Sequence, residues 1–218
     1  GIREGAVLMS DGYEVYNGIA HSHGLIHLGC WAHARRYFVE AEAVLPKAVR
    51  RPDQLATQFI AAIARLYAVE AKVKGKGVAE RAQLREASSR SILAEIQQLL
   101  VTHRHSVTPG SLLGKALHYL EAQWPKLIRY VENGAWPIDN NLCENAIRPF
   151  VVGRRNWLFA DTVAGANASA NIYSLIETCK ANGVDTYRYL VALFKALPLA
   201  KTADDYEQLL PWHLNLGD

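Results

Sequence analysis

The sequence predicts an α/β protein in which two short strands joined by a helix lead into a series of long helices. Two apolar runs, residues 6–9 and 25–28, are typical of short strands and flank a helix predicted from Tyr13 to His21. Apolar residues then recur at three- and four-residue steps through most of residues 31–134. Half of the residues are hydrophobic and 21% are charged, which indicates a globular protein with a core.

The order of the elements follows from turn and capping signals. Two apolar strands joined by a helix indicate a parallel crossover, and Asp11-Gly12 marks the turn after the first strand. Ser111 and Asp185 are predicted to be helix N-caps. Residues 150–159 are predicted to form a third, strand-like piece. Helices are predicted over residues 31–44, 53–73, 79–103, 111–133, 163–181, 185–197 and 202–210.

The charge is unevenly distributed along the chain. The net charge is only +3, yet residues 45–135 contain fourteen Lys and Arg against seven Asp and Glu. A basic stretch between acidic flanks is compatible with nucleic-acid binding and metal-dependent chemistry, and equally with an ordinary helical surface.

Composition also indicates a cellular location. No apolar run reaches the roughly 18–20 residues of a membrane span, and the first residues lack the features of a signal peptide. The three cysteines are spread along the chain, which fits a reducing compartment. We therefore expect a cytoplasmic protein without membrane contact.

Three groups of residues are candidates for chemistry. Asp11 follows a strand directly, where ligands and metal ions bind in open α/β sheets, although Asp-Gly is also a common turn pair. Cys30 and His33 have the spacing of half a zinc site, with no second half apparent. A structural role for this pair at a strand–helix corner is the alternative.

The third group lies in residues 139–157. Its Asx residues (DNN, 139–141) mark a helix start, after which Glu144 and Arg148 fall on one helical face. Arg154 and Arg155 follow on the stretch predicted to be extended. No phosphate-binding glycine loop, nucleophile elbow or metalloprotease motif is present.

Together these segments resemble the transposases of the insertion sequence 66 family, a branch of the DDE transposases with a ribonuclease-H-like core. The matching segments are SDGYEVY (10–16), GCWAHARRYF (29–38), DNNLCENAIRP (139–149), GRRNWLF (153–159), YSLIETCKANGVDTYRYL (173–190) and LLPWHL (209–214). They extend along the whole chain in the family's order and spacing.

The resemblance implies roles for these residues. DDE transposases hold two Mg²⁺ ions between two aspartates and a glutamate, and they cut and rejoin DNA by in-line phosphoryl transfer. In related Mutator-like and hAT transposases a Cys-x-x-His motif follows the second aspartate, and Cys30 lies nineteen residues after Asp11. Asp11 is therefore assigned as the second aspartate and Glu144 as the glutamate, with Mg²⁺ or Mn²⁺ as cofactor. In a competing assignment Asp11 is the first aspartate and Asp139 the second.

The resemblance also implies a domain organisation and partners. Residues 1–45 and 135–198 would form two parts of the ribonuclease-H-like core, residues 46–134 a helical insertion, and residues 199–218 a C-terminal tail. The first catalytic aspartate is expected upstream of Gly1, so this chain alone is expected to be inactive. The expected partners are DNA, both transposon ends and target, and further copies of the chain assembled on DNA. The residues expected to contact DNA are Arg35, Arg36, Arg148, Arg154, Arg155 and Asn156.

Two other functions stay open at this point. A non-catalytic DNA-binding or helical interaction protein derived from a transposase would use the basic helices without requiring Asp11 and Glu144 to converge. A zinc-dependent hydrolase built around Cys30 and His33 would require bound zinc.

Overall fold

The structure, a computed structural model, describes residues 3–214 and is mostly helical. It divides into two compact units, residues 1–142 and 143–218. Its elements are the strands β1 (Val7–Ser10) and β2 (Ile26–Gly29) and the helices α1 (Val15–Ser22), α2 (Trp31–Ala43), α3 (Leu55–Val73), α4 (Val78–His103), α5 (Leu112–Leu127), α6 (Asn141–Trp157), α7 (Val163–Ala181), α8 (Thr186–Ala196) and α9 (Ala203–Gln208). Short 3₁₀ segments occur at Lys47–Val49, Ile128–Glu132 and Leu197–Leu199.

The two strands form a parallel pair joined through α1, as the sequence predicts. Val7 lies opposite Ile26 and Ser10 opposite Gly29, so both strands end at the same edge. An α/β class is compatible with this arrangement, whereas the ribonuclease-H-like core stays a prediction.

The core of the first unit lies between helices α2 to α5 rather than on the sheet. Phe38 of α2 stacks on Phe59 of α3, with ring centroids 4.4 Å apart. Trp31 is fully buried, meets Trp124 edge to face and donates from Nε1 to the carbonyl oxygen of Leu127 at 2.9 Å. The predicted helices in this part are confirmed within a few residues, including the Ser111 cap, whose Oγ accepts from Gly114 N.

A buried arginine joins α3, α4 and the 3₁₀ segment after α5. Arg85 is fully buried and donates to both carboxylate oxygens of Glu70, at 2.8 and 2.7 Å. Its remaining nitrogen, Nη1, donates to the carbonyl oxygens of Tyr130 and Asn133, each at 2.9 Å. Next to it, Gly134 packs against α4 so closely that a Cβ atom would lie 2.0 Å from the carbonyl oxygen of Val78. The chain leaving α5 is thereby fixed against α4.

The second unit contains α6 from Cys143 onward, helices α7 to α9 and a smaller core. Tyr189 and Cys179 are fully buried there, and the Tyr189 hydroxyl donates to the carbonyl oxygen of Leu209 at 2.8 Å. Asp185 caps α8 as predicted, since its Oδ1 accepts from Arg188 N. Among residues 3–214 no helix has the length and apolar character needed to cross a membrane.

The prediction that residues 150–159 are extended is wrong, because α6 continues to Trp157. The β-branched pair Val151-Val152 favoured a strand, but the wider pattern is that of an amphipathic helix. Phe150 and Trp157 lie two turns apart and meet Tyr173 of α7, with centroid distances of 5.1 and 6.1 Å. Leu158 then ends the helix in the left-handed region, with φ at +62°.

We expect Arg85→Ala to lower the free energy of unfolding by about 3–5 kcal/mol, because it leaves the Glu70 carboxylate and two carbonyl groups without their partner. Arg65→Ala is the matched control, since it removes an exposed ion pair with Glu95 between the same two helices. Its cost is expected to be about 0.2–1 kcal/mol. Urea unfolding followed by circular dichroism measures both, and equal losses would contradict the prediction.

Candidate functional site

The candidate site begins at the edge where both strands end. Because Ser10 and Gly29 are paired in a parallel register, the next residues, Asp11 and Cys30, leave the sheet side by side. The carboxyl ends of parallel strands are where α/β proteins place ligand-binding residues. The topology therefore gives Asp11 the position that its sequence context predicts.

The turn at Asp11 is held against α5. The Asp11 carboxylate is exposed, and its Oδ1 accepts from the backbone N–H of Tyr13 at 3.1 Å. The Asp11 carbonyl oxygen accepts from the Tyr119 hydroxyl at 2.6 Å. Gly12 has φ at +100°, and a Cβ atom there would lie 3.1 Å from side-chain atoms of both Tyr119 and Gln123. The positive φ favours glycine at this position, and the Tyr13 N–H holds the Asp11 carboxylate in a defined direction.

A buried polar pair joins the end of β1, directly before this turn, to β2. The side chains of Ser10 and His27 are joined by a 2.8 Å hydrogen bond between Oγ and Nε2. Burial lowers the pKa of His27, and the neighbouring charges of Lys126 and Arg129 lower it further. The imidazole is therefore neutral at pH 7, and a neutral imidazole is able to accept a hydrogen bond from the Ser10 hydroxyl.

Three hydrogen bonds attach residues 138–140 beside the same edge. The Cys30 thiol donates to Asn140 Oδ1 at 2.9 Å, and the Trp31 backbone N–H donates to the carbonyl oxygen of Ile138 at 3.2 Å. The Tyr67 hydroxyl of α3 donates to Asp139 Oδ2 at 2.8 Å. We refer to this set of contacts, made by Cys30, Trp31 and Tyr67, as the Cys30 attachment. It holds the segment that leads directly into α6.

Asp139 is engaged in this attachment through both carboxylate oxygens. Besides Tyr67, Oδ2 accepts from the Asn141 side chain at 2.9 Å, and Oδ1 accepts from the Asn141 backbone N–H at 3.1 Å. These are the bonds of a residue that starts a helix. The structure thus gives Asp139 a role in starting α6, and the competing assignment of Asp139 as the second catalytic aspartate stays a prediction.

The Cys-x-x-His residues have hydrogen-bonding neighbours within the protein. Cys30 is fully buried, and its thiol is used by Asn140. Both ring nitrogens of His33 lie 3.2 Å from Nη2 of Arg36, one turn further along α2. Arg35 and Arg36 are exposed on the same helix. In the part of the chain that the structure describes, no three His, Cys, Asp or Glu side chains are grouped as metal ligands.

The remaining predicted residues lie on α6. Glu144 is half-buried in its first turn, and Arg148 follows one turn later. Arg154, Arg155 and Asn156 are exposed near its end. Arg154 borders an open cavity of ≈ 750 Å³ together with Trp157 and Tyr173. Asp11 belongs to the first unit and Glu144 to the second, and their convergence stays a prediction.

Sequence reasoning missed Tyr67 and Tyr119. Each donates to a residue more than seventy positions away, so no local motif marks either one. Tyr67 occupies a half-buried position of α3, where the sequence pattern suggests only core packing. Asn140 was included in the predicted motif, but as part of a helix start and not as the acceptor for Cys30.

Comparison with known families gives two matches that together extend over nearly the whole chain. The sequence model of the family described as "Transposase IS66 family" matches residues 2–168. That of the "IS66 C-terminal element" matches residues 174–212.

Curated proteins similar to this chain come from Sinorhizobium fredii (strain NBRC 101917 / NGR234). The uncharacterized protein y4qI is 34% identical over 214 residues, which cover 95% of this chain and 39% of that protein. The uncharacterized protein y4jD is 28% identical, over 95% of this chain and 41% of that protein. The chain therefore spans about two fifths of the length of these relatives. No solved structure matches it.

The structure predicts a clear order of thiol reactivity. Burial raises the pKa of Cys30 and Cys179, so both have less reactive thiolate at pH 8, whereas Cys143 is exposed. Titration with dithionitrobenzoate should show one fast thiol and two that react only after unfolding. Cys143→Ser should remove the fast phase. A second fast thiol in the native protein would contradict the buried thiol that the Cys30 attachment requires.

Proposed function

Because the chain belongs to the IS66 transposase family, we propose that it supplies the second aspartate and the glutamate of a DNA transposase. In this proposal Asp11 and Glu144 hold Mg²⁺ or Mn²⁺, and the whole protein cuts and rejoins DNA by in-line phosphoryl transfer. The observation that carries the proposal is the family match over residues 2–168, which includes both acidic residues.

The donor atoms of the proposed site fit a hard divalent cation. Mg²⁺ prefers oxygen ligands, and both groups are carboxylates. Asp11 is exposed at the end of a strand and is oriented by the Tyr13 N–H, which uses Oδ1. In two-metal sites the cations stabilise the attacking and leaving oxygens of an in-line displacement. The thiol of Cys30 is a softer ligand and is already occupied by Asn140.

The Cys30 attachment supports the proposed convergence of the two carboxylates. It places residues 138–140 beside the edge from which Asp11 leaves the sheet. Glu144 follows Asn140 by four residues, so chain length limits the separation of their Cα atoms to about 14 Å. In this proposal Cys30, Trp31 and Tyr67 position the start of the glutamate-bearing helix.

Exposed arginines support DNA as the substrate. Arg148, Arg154 and Arg155 form no ion pair with any residue of the described chain, and all three are exposed. Guanidinium groups bind phosphate through paired, charge-assisted hydrogen bonds. Arg35 and Arg36 present the same chemistry on α2. We propose that these residues and Asn156 hold the DNA backbone while Asp11 and Glu144 hold the cations.

Affinity cleavage tests whether the two carboxylates share a cation. Fe²⁺ bound in place of Mg²⁺, with ascorbate and peroxide, is expected to cut the purified chain near both Asp11 and Glu144. Asp11→Asn should remove both cuts, because a shared ion loses a ligand. Asp53→Asn, which changes another exposed aspartate away from the strands, should leave both cuts. Cutting at only one position would contradict the shared site.

Transposition by the whole protein tests the catalytic assignment. Asp11→Asn and Glu144→Gln should each abolish excision of a marked element while the protein still binds its DNA. Asp53→Asn should excise at the wild-type rate. Full excision by both variants would instead favour the non-catalytic DNA-binding protein.

A further inference from the structure

An open groove of ≈ 840 Å³ lies in the first unit, between the Asp11-Gly12 turn and helix α5. We call it the Tyr119 groove. Its walls are the turn and the start of α1 on one side and α5 on the other. The lining residues that matter here are Gly12, Glu14, Tyr37, Lys115, His118 and Tyr119.

The α5 wall presents cationic and hydrogen-bonding side chains in one line. Lys115 and His118 are one helical turn apart and both are exposed. Lys126, further along, already donates to Asn17 Oδ1 at 2.9 Å and to Gln123 Oε1 at 2.7 Å, so it joins α1 to α5. From residue 115 to residue 126 this wall is about 16 Å long.

An aromatic pair forms the part of the groove nearest to Asp11. The rings of Tyr37 and Tyr119 stack with centroids 4.6 Å apart, and Tyr37 is exposed at the surface. The hydroxyl of Tyr119 donates to the Asp11 carbonyl oxygen, so the groove is directly connected to the candidate metal ligand. Aromatic faces beside cationic side chains are typical of surfaces that bind nucleic-acid strands.

We infer that the Tyr119 groove holds a DNA strand beside Asp11, with Lys115 and His118 contacting its phosphates and Tyr37 contacting a sugar or base. This inference rests on the proposed function, because it takes Asp11 as the position of the reacting phosphate. Glu14 lies on the opposite wall, so its negative charge repels phosphate and keeps the strand along α5. Lys115, His118 and Tyr119 lie outside the matching segments quoted from the sequence, whereas Tyr37 lies near the end of one of them, GCWAHARRYF (29–38).

Fluorescence anisotropy with the purified 218-residue chain tests the inference. The probes are a labelled single strand and a labelled duplex, titrated between about 50 and 200 mM salt. Lys115→Gln/His118→Gln should weaken binding about tenfold, equivalent to about 1.4 kcal/mol. Losing the lysine contact should also lower the salt slope by about 0.7 for the single strand or 0.9 for the duplex.

Lys72→Gln/Lys74→Gln is the control, because it removes two lysines near the end of α3, outside the groove, one more than the test variant removes. It should bind within about twofold of the wild type, a difference of about 0.4 kcal/mol. An equal loss of DNA affinity in both double variants would overturn the proposed role of the Tyr119 groove and indicate a general charge effect.

Cross-linking gives an independent readout of position. An oligonucleotide containing iododeoxyuridine should cross-link to Tyr37 or Tyr119, and peptide mapping should find the adduct in residues 37–38 or 112–126. Adducts confined to other segments would overturn the inference.

The binding measurements separate this inference from the proposed function. If the chain binds DNA and Lys115→Gln/His118→Gln does not change the affinity, only the proposed role of the Tyr119 groove is overturned. Failure of the chain to bind any DNA would overturn both the proposed role of the groove and the DNA contacts proposed for the arginines.

Discussion

The first unit depends on the Cys30 attachment, in which three consecutive residues are each tied to an early part of the chain. Ile138, Asp139 and Asn140 are bonded to Trp31, Tyr67 and Cys30 respectively. More than a hundred residues separate the two sides of the Cys30 contact, and α3, α4 and α5 lie between them in the chain. The helical core therefore contacts the strand edge through this attachment and also through Tyr119, whose hydroxyl donates to the Asp11 carbonyl oxygen.

The path of the chain from α5 back to the strand edge is fixed by polar as well as apolar contacts of the helical core. Arg85 and the close packing at Gly134 fix the chain just after α5, four residues before the attachment begins. A buried arginine is costly unless every nitrogen has a partner, and here Glu70 and two carbonyl groups provide them. The geometry of the strand edge is thus maintained by a chain of specific bonds, and not by the two short strands alone.

Sequence patterns a few residues long correctly predicted the elements that depend mainly on interactions between neighbouring residues. The two strands, their parallel crossover and the caps at Ser111 and Asp185 depend on patterns a few residues long, and all are confirmed. The strand predicted at residues 150–159 was wrong because packing of Phe150 and Trp157 on Tyr173 outweighs the β-propensity of two valines. The roles of Tyr67 and Tyr119 depend on contacts distant in sequence, which no local pattern encodes.

Helix α6 differs from the helices of the first unit in how little of it is enclosed. All of its residues are described and none is buried, although Leu142 and Val151 are apolar. Apart from the contacts of Phe150 and Trp157 with Tyr173, such a helix gains less from tertiary packing than the well-buried α3 and opens more readily. Amide hydrogens around Glu144 are then expected to exchange faster than those of α3, so a ligand bound at this acidic group would slow exchange there.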